Sequence, residues 1–357
     1  MSTPNPVPVG DAIAWSDAAR QAAFEAWLAP LVVRFGLDPA SMTSASSDAS
    51  FRRYFRIQAT GGSLIVMDAP PPQEDVRSFV KIARHITDAG LNAPRVIATD
   101  THQGFLLMSD LGRAPYLDAL READAGQADR LMRDAIEALV HFQTHVQALD
   151  WPRYDDALLR RELALFPQWC VQREFDIQWS ASQQADWNGV CDRLVRSALA
   201  QPTVPVHRDW MPRNLMLADP NPGILDFQDA VLGPVTYDIA SLLRDAFLSW
   251  DAEREIDWAV RWWQRIRNTP ALAGHAFSED FGECWRAIEW MGLQRHLKVL
   301  GIFCRLKHRD AKPRYSADLP RFFTYATHVA MRYPPLAALL PLLEPLSGRT
   351  VRIGYTF

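Results

Sequence analysis

A short polar loop followed by an Asp-Phe pair restricts the folds open to this chain. The loop, His207–Asn214, has the sequence HRDWMPRN, and Asp226 follows an apolar run, twelve positions after Asn214. In phosphoryl-transfer proteins this spacing supplies a carboxylate that takes a hydroxyl proton and two oxygen ligands for Mg²⁺. We therefore predict Asp209 as the catalytic base and Asn214 and Asp226 as Mg²⁺ ligands. The alternative, polar residues in ordinary turns, requires three coincidences in the correct order.

Size and composition predict two globular lobes that share a cleft. The chain has 357 residues, a net charge of -4 and a sequence pI near 6.1. The charge gives no general attraction to nucleic acid or to an anionic membrane, and no obligate protein partner is evident. The four cysteines are widely spaced, and the start of the chain lacks a basic-then-apolar signal. We expect a cytoplasmic protein with reduced cysteines.

The first third of the chain alternates predicted strands with two predicted helices. The hydrophobic pattern and the positions of glycine favour a hairpin around Gly61 and Gly62, a strong turn signal between two β-rich runs. Such an arrangement is typical of a small lobe that holds a nucleotide. The predicted segments are helix 16–35, strands 51–59 and 63–69, helix 74–89, and strands 95–99 and 104–108.

The rest of the chain is predicted to be mainly helical. Residues 131–146 and 237–250 carry apolar side chains at helical spacing, and the polar loop lies between them. We expect short strands at 215–217 and 224–225. The sequence thus predicts an α+β, bilobal, protein-kinase-like fold, with an N-lobe at 1–108, a hinge at 109–112 and a C-lobe at 113–357.

Several strings resemble the aminoglycoside phosphotransferase and choline kinase family, a bilobal relative of protein kinases that acts on small molecules. Besides the polar loop and the Asp-Phe pair, these strings are LLMSDLG at 106–112 and GPVTYDIASL at 233–242. The resemblance implies ATP and Mg²⁺ as cofactors and covers most of the chain. It also implies that Asp238 braces the catalytic loop and that His207 is a structural anchor.

The distance along the chain from Asp226 to Asp238 argues against a protein substrate. Only eleven residues separate the two carboxylates, and Gln228 replaces the glycine of a D-F-G motif. A protein kinase needs a long activation segment at this point to form a platform for a peptide. We therefore predict a small-molecule acceptor.

Two departures from the kinase pattern concern the nucleotide. No glycine-rich loop is present, so we expect Ser47 and Ser50 to approach the phosphates through hydroxyl and backbone groups. The strand at 64–68 carries no lysine, and we hypothesise that Arg53 replaces its charge, against the alternative that Arg53 is a surface residue. Met108 and Asp110 complete the predicted nucleotide site.

Three further strings are SDASFRRYFR at 47–56, VMDAPP at 66–71 and QRHLKVLGIF at 294–303. In these strings the chain is similar to bacterial kinases of the family that phosphorylate N-acetylmuramate and N-acetylglucosamine at C1 during peptidoglycan recycling. From Arg295 to Arg314 it carries seven Lys or Arg against one acid, which suits a carboxylated amino sugar better than a polycation. Arg295, His296 and Lys298 are candidate substrate ligands, although a solvated basic helix explains the run equally well. An aminoglycoside or choline/homoserine kinase and a nucleotide-binding pseudokinase scaffold remain alternatives.

Overall fold

The chain forms two compact units. The computed structural model describes residue 13, residue 15 and residues 17–46 and 51–347. Unit 1 comprises the residues up to Ala114 together with Met216–Asp229, and unit 2 comprises Pro115–Leu215 together with the residues from Ala230 onward. Unit 1 is built on an antiparallel sheet and unit 2 is mostly helical, which confirms the predicted α+β bilobal class.

Unit 1 contains a five-stranded antiparallel sheet in the order β1-β2-β3-β5-β4. The predicted hairpin is confirmed: β2 and β3 pair from Arg53 opposite Asp68 to Ala59 opposite Gly62. Gly62 adopts a φ of 129°, which side chains other than hydrogen disfavour. β1 was not predicted, because its polar residues give no apolar alternation. The strands are β1 (Asp38–Ser46), β2 (Arg53–Ala59), β3 (Gly62–Asp68), β4 (Val96–Asp100) and β5 (Phe105–Ser109).

Helix α1 (Ala18–Phe35) covers one face of this sheet. The Asp17 side chain caps its start by accepting from the Ala19 amide, and Gly36 ends it in the left-handed conformation. A Cβ at Gly36 would lie 2.0 Å from the Thr60 hydroxyl oxygen. Apolar residues of the helix and of alternating strand positions pack together: Phe24, Leu28, Leu31, Phe55, Ile57, Val66, Phe105 and Leu107.

The second helix of unit 1 packs beside the segment that follows the catalytic loop. Helix α2 (Val76–Asp88) places Phe79 against Phe227, with 4.8 Å between ring centroids. Within the same unit, the Ile224 amide donates to the Asn92 carbonyl at 2.7 Å. Residues 216–229, which the sequence division assigned to the C-lobe, thus cluster with the sheet unit. This segment includes β8 (Gly223–Ile224), which pairs with β7 (Leu215–Met216).

Unit 2 is a helical body with one small β ladder, β6 to β9. Its helices and strands are α3 (Tyr116–Glu122), α4 (Ala125–His145), α5 (Asp156–Leu163), a π-helical segment (Phe166–Glu174), α6 (Ala181–Leu199), β6 (Thr203–Val206), β9 (Val231–Pro234), α7 (Tyr237–Leu243), α8 (Ala252–Ile266), α9 (Ala276–Glu279), α10 (Phe281–His308), α11 (Leu319–Arg332) and α12 (Leu340–Ser347). Short 3₁₀ turns span Pro212–Asn214, Pro270–Leu272, Pro313–Asp318 and Pro334–Leu339.

Helix α7 is shorter than the predicted helix 237–250. It ends at Leu243 because the carboxylate of Asp245 accepts from the amides of Phe247 and Leu248, at 2.7 and 3.0 Å. A side chain that takes local amides in this way competes with helix continuation. The residues after α7 therefore form a loop.

Helix α10 is the central element of unit 2. It contacts the π-helical segment, α7 and α11, and Leu293, Leu297 and Leu300 are fully buried. Arg295, His296 and Lys298 are buried as well, so this part of the basic run is not a solvated face. No helix in the described part of the chain is long and apolar enough to span a bilayer.

Candidate active site

The predicted catalytic loop follows the β6 to β9 ladder in unit 2. Val206, the last residue of β6, pairs with Val231 of β9, and His207 begins the loop. Arg208 has a φ of 75°, a conformation that side chains other than glycine seldom adopt. Strained backbone of this kind persists only where surrounding contacts determine it.

Asp238, in the first turn of α7, supplies those contacts. Its carboxylate accepts from the His207 amide at 2.7 Å and from the Arg208 amide at 2.9 Å, and the side chain is fully buried. Burial raises the pKa of Asp238 to about 7, while the two amide bonds favour its charged form. The loop backbone is therefore fastened to α7 immediately before Asp209.

His207 packs inside unit 2. Its ring is fully buried and lies edge-on to Trp210, with 5.5 Å between centroids. The Asp209 amide donates to His207 Nδ1 at 3.3 Å, so this nitrogen acts as an acceptor. These contacts suit the structural role that the family resemblance implied, which remains a prediction for this chain.

Cations surround Asp209 and keep it ionised. Burial by itself would raise the pKa of this carboxyl, but Lys298, Arg295 and Arg208 outweigh it and hold the pKa below its usual range. An ionised carboxylate accepts hydrogen bonds only, so Asp209 has the protonation state that a proton acceptor requires.

Glu162 of α5 organises two of these cations. Lys298 Nζ lies 3.0 Å from Glu162 Oε1 and donates to the Tyr237 hydroxyl at 3.1 Å. Arg208 also pairs with Glu162 Oε1, and the Tyr154 hydroxyl donates to Glu162 Oε2. Burial opposes the charge on Lys298, but Tyr237 and Glu162 outweigh it and raise its pKa. Glu162 and Tyr154 were not predicted, because no sequence motif marks an acid that pairs with cations far along the chain.

The other two predicted substrate residues of α10 differ in their surroundings. Arg295 is 2% exposed and its Nη1 has no hydrogen-bond partner among the described residues. His296 bonds through Nε2 to the Arg244 carbonyl at 3.2 Å and stacks on Tyr325. Burial, with Arg244 and Arg295 nearby, holds the pKa of His296 well below its usual value. His296 is therefore neutral, whereas the charge of Arg295 favours the ionised forms of Asp209 and Asp238.

Asn214 closes the catalytic loop through a 3₁₀ turn. Its side-chain Nδ2 donates to the Asp209 carbonyl at 2.9 Å, and its amide N–H donates to the Met211 carbonyl at 2.9 Å. The first of these bonds assigns the nitrogen end of the side-chain amide. Asn214 is buried.

Asp226 belongs to unit 1 and follows β8. Its φ of 63° is tolerated by aspartate, and Gln228 Nε2 donates to its Oδ1 at 2.9 Å. The next residue, Phe227, is fully buried and anchors the segment, while the Asp226 side chain is exposed. The backbone conformation thus presents the carboxylate at the surface of unit 1.

The predicted phosphate cation, Arg53, has other partners. Its Nε donates to Asp68 Oδ2 at 3.0 Å, its Nη2 forms a second bond there, and its guanidinium lies 4.1 Å from the Trp15 ring centroid. Arg20 of α1 holds the other carboxylate oxygen of Asp68. Strand alternation places Arg53 on the face that α1 covers. Ser47 and Ser50, the other predicted phosphate contacts, lie outside the described residues.

Met108 and Asp110 lie at the end of β5. Met108 is opposite Ile65, which is opposite Arg56, so these three residues share the sheet face that α1 does not cover. The Asp110 carboxylate accepts from Arg56 Nη2 at 2.9 Å, from the Ser63 hydroxyl at 2.6 Å and from the Gly112 amide at 2.9 Å. Asp110 therefore fixes the turn that the sequence identified as a hinge.

Comparisons with known proteins place the chain among phosphotransferases. A family model described as the phosphotransferase enzyme family matches residues 41–277. The chain is 51% identical over 338 residues to a Pseudomonas aeruginosa protein named N-acetylmuramate/N-acetylglucosamine kinase, which covers 93% of this chain and 98% of that protein. A Pseudomonas putida protein of the same name is 52% identical over 308 residues, covering 86% of this chain and 89% of its own length.

Solved structures support the fold. An ADP-bound aminoglycoside phosphotransferase, APH(2'')-Ib, aligns with a TM-score of 0.56 at 12% identity, covering 88% of this chain and 99% of that one. A choline/ethanolamine kinase family protein from Mesorhizobium loti aligns with a TM-score of 0.57 at 14% identity, covering 92% of this chain and all of the other. These structures confirm the predicted kinase-like fold.

Proposed function

This chain belongs to the phosphotransferase enzyme family, and on that premise we propose that it phosphorylates N-acetylmuramate and N-acetylglucosamine with ATP. The acceptor in this proposal is the anomeric hydroxyl, and the products are sugar 1-phosphates that re-enter cell-wall synthesis in the cytoplasm. Relatives that carry the name of this activity align over nearly their whole length.

The observation that carries the proposal is the ionised Asp209 in a braced loop. Its carboxylate is held charged by Lys298, Arg295 and Arg208, and its backbone position is set by Asp238. A group that accepts a proton must be both deprotonated and fixed in place before the acceptor arrives. Few structural roles require both conditions at one side chain.

In the proposed reaction the sugar oxygen attacks the γ-phosphorus of ATP. A bond forms between that oxygen and phosphorus, the bond from phosphorus to the β,γ-bridging oxygen breaks, and ADP leaves with the electron pair. The hydroxyl proton passes to Asp209. The cations beside Asp209 keep the carboxylate available at neutral pH, and the loop orients it toward the hydroxyl.

Asn214 and Asp226 are the proposed Mg²⁺ ligands. They offer an amide oxygen and a carboxylate, which are the hard oxygen donors that Mg²⁺ prefers. No cluster of three or more His, Cys, Asp or Glu suited to a metal occurs in the described residues. Bound Mg²⁺ supplies charge neutralisation on the phosphates.

The nucleotide site of the proposal comprises Met108, Asp110, Ser47 and Ser50. Asp110 acts there as a positioning residue, because its carboxylate is already bonded to Arg56, Ser63 and the Gly112 amide. In this proposal Arg53 belongs with Arg20 and Asp68 in an ion-paired cluster and does not bind the phosphates.

A substrate panel with one variant tests the proposal. Purified protein is given ATP, Mg²⁺ and, separately, N-acetylmuramate, N-acetylglucosamine, choline or an aminoglycoside, and ADP release is followed. We expect turnover with the two amino sugars only, and a phosphorus–proton coupling to H1 in the product. Asp209→Asn should lower turnover by at least about 1,000-fold while ATP still binds.

Asp156→Asn is the matched control, because Asp156 is an exposed carboxylate of the same unit that pairs with Arg160. It should retain wild-type turnover. Turnover with choline or an aminoglycoside in place of the amino sugars would overturn the substrate assignment, and an active Asp209→Asn protein would overturn the catalytic one. Nucleotide binding without phosphorylation of any acceptor would favour a scaffold function.

A further inference from the structure

Unit 2 contains a cavity of about 520 Å³ that no step of the reaction has yet used. This volume falls within the range of small-molecule sites, about 300 to 1,000 Å³. The walls come from the loop after α7, the start of α8, the middle of α10 and one side of α11. Aromatic residues, Trp250 and Tyr325, form part of the lining.

The charged lining favours an anion. Three arginines, Arg244, Arg321 and Arg332, face two acids, Glu255 and Glu289. Both acids are already paired: Arg244 Nε lies 3.2 Å from Glu255 Oε2 and its Nη2 lies 2.8 Å from Glu289 Oε1, where Arg332 also binds at 2.5 Å. A polycation would therefore meet no unpaired carboxylate in this lining.

Two hydrogen-bond donors of the lining lack partners in the described part of the chain. They are Nη1 of Arg321 and Nε1 of Trp250, and both atoms are buried. The nearest acid to Arg321 is Asp318, at 3.8 Å, which is beyond hydrogen-bond distance. Buried donors without partners are rare in folded proteins, so a bound acceptor is the simplest complement.

The loop after α7 contacts the catalytic loop and also forms part of the cavity wall. The Arg213 guanidinium, in that loop, lies 5.4 Å from the ring centroid of Phe247. Phe247 belongs to the same loop after α7 that contributes Arg244 and Trp250 to the cavity wall.

We infer that this cavity receives the carboxylated side of the acceptor sugar, with Arg321 binding the carboxylate and Trp250 donating to a sugar oxygen. Arg321 is then the residue that distinguishes N-acetylmuramate, which has a lactyl carboxylate, from N-acetylglucosamine, which has none. A guanidinium matches a carboxylate in shape as well as in charge. The inference rests on the proposed function.

The test compares the two sugars in Arg321→Met. The ratio of kcat/KM for N-acetylmuramate to kcat/KM for N-acetylglucosamine should fall by about 10- to 100-fold, the value of one charge-assisted hydrogen bond. Arg321→Lys, which keeps the charge without the planar fork, should give an intermediate ratio. Arg261→Met, at a half-exposed arginine of α8 outside the lining, should leave both constants at wild-type values.

The outcomes separate the two ideas. Wild-type protein that phosphorylates neither sugar overturns the proposed function and this inference together. Wild-type protein that phosphorylates both, combined with an unchanged ratio in Arg321→Met, overturns the inference alone. An equal loss for both sugars with a lowered melting temperature assigns Arg321 a structural role and also overturns it.

Discussion

The fastening of the catalytic loop by Asp238 predicts a specific defect in Asp238→Asn. The wild-type carboxylate accepts from two amides, those of His207 and Arg208, at 2.7 and 2.9 Å. The asparagine side chain keeps one acceptor oxygen, and its NH₂ group faces the other backbone N–H. One bond to a charged acceptor is lost, so the free energy of unfolding should fall by about 1.5–3 kcal/mol.

The effect of Asp238→Asn on the catalytic loop should exceed its effect on the free energy of unfolding. With one amide released, the backbone before Asp209 can shift, and a displacement of about 1 Å in catalytic groups lowers turnover by roughly 100-fold. Hydrogen exchange of the peptide that contains His207 and Arg208 reports the loss of protection directly. ATP affinity should stay within about twofold of wild type.

The matched control is Asp118→Asn. Asp118 is also a carboxylate in the first turn of a helix, α3, but it is exposed and pairs with Arg121 at 3.6 Å. It should show wild-type exchange and turnover. Equal exchange in Asp238→Asn and wild type, together with equal turnover, would refute the bracing argument. A loss of stability without faster exchange at 207–208 would place the role of Asp238 elsewhere.

Other substitutions probe the remaining contacts. Arg53→Met should lower the free energy of unfolding by about 1 kcal/mol with unchanged ATP affinity, because Arg53 pairs with Asp68; a selective loss of ATP binding would restore its phosphate role. Because buried His296 stays neutral in the folded protein, the unfolded state binds more protons than the folded state below about pH 6.5. The free energy of unfolding should therefore fall on acidification by up to about 1.4 kcal/mol per pH unit. His296→Gln should reduce that slope, and an identical slope would contradict burial as its cause. Gly301→Ala should cost about 1–3 kcal/mol in thermal unfolding, since a Cβ would lie 2.4 Å from the Leu165 carbonyl carbon, and a neutral effect would contradict this packing.

Local signals in the sequence were sufficient for the hairpin of β2 and β3 and for helix α1 in unit 1. The hairpin at Gly62 and the helix that ends at Gly36 are specified by neighbouring residues and were predicted from them. Strand β1 was not predicted, because its residues are polar and it is specified by pairing with β2. The end of α7 was not predicted, because it depends on the backbone amides that donate hydrogen bonds to the Asp245 side chain.

In the site too, residues at a fixed local spacing were predicted, whereas pairings between distant residues were not. The loop and its acids stand at a fixed spacing, so the sequence predicts them as a group. The phosphate role of Arg53 was predicted from its strand alone. Its partner Asp68 became evident only from the register of β2 and β3. Glu162 lies far along the chain from Lys298, and no local pattern predicts that pairing.

The division of the chain into units has a consequence for synthesis. Unit 1 is built from residues up to Ala114 and from Met216–Asp229, so a ribosome must add over a hundred residues of unit 2 before unit 1 has all its parts. Until then the Asn92 carbonyl lacks the Ile224 amide, and Phe79 lacks Phe227. A fragment that stops at residue 114 should therefore expose an apolar patch, and the nascent chain reaches a complete first unit only after Asp229 has emerged.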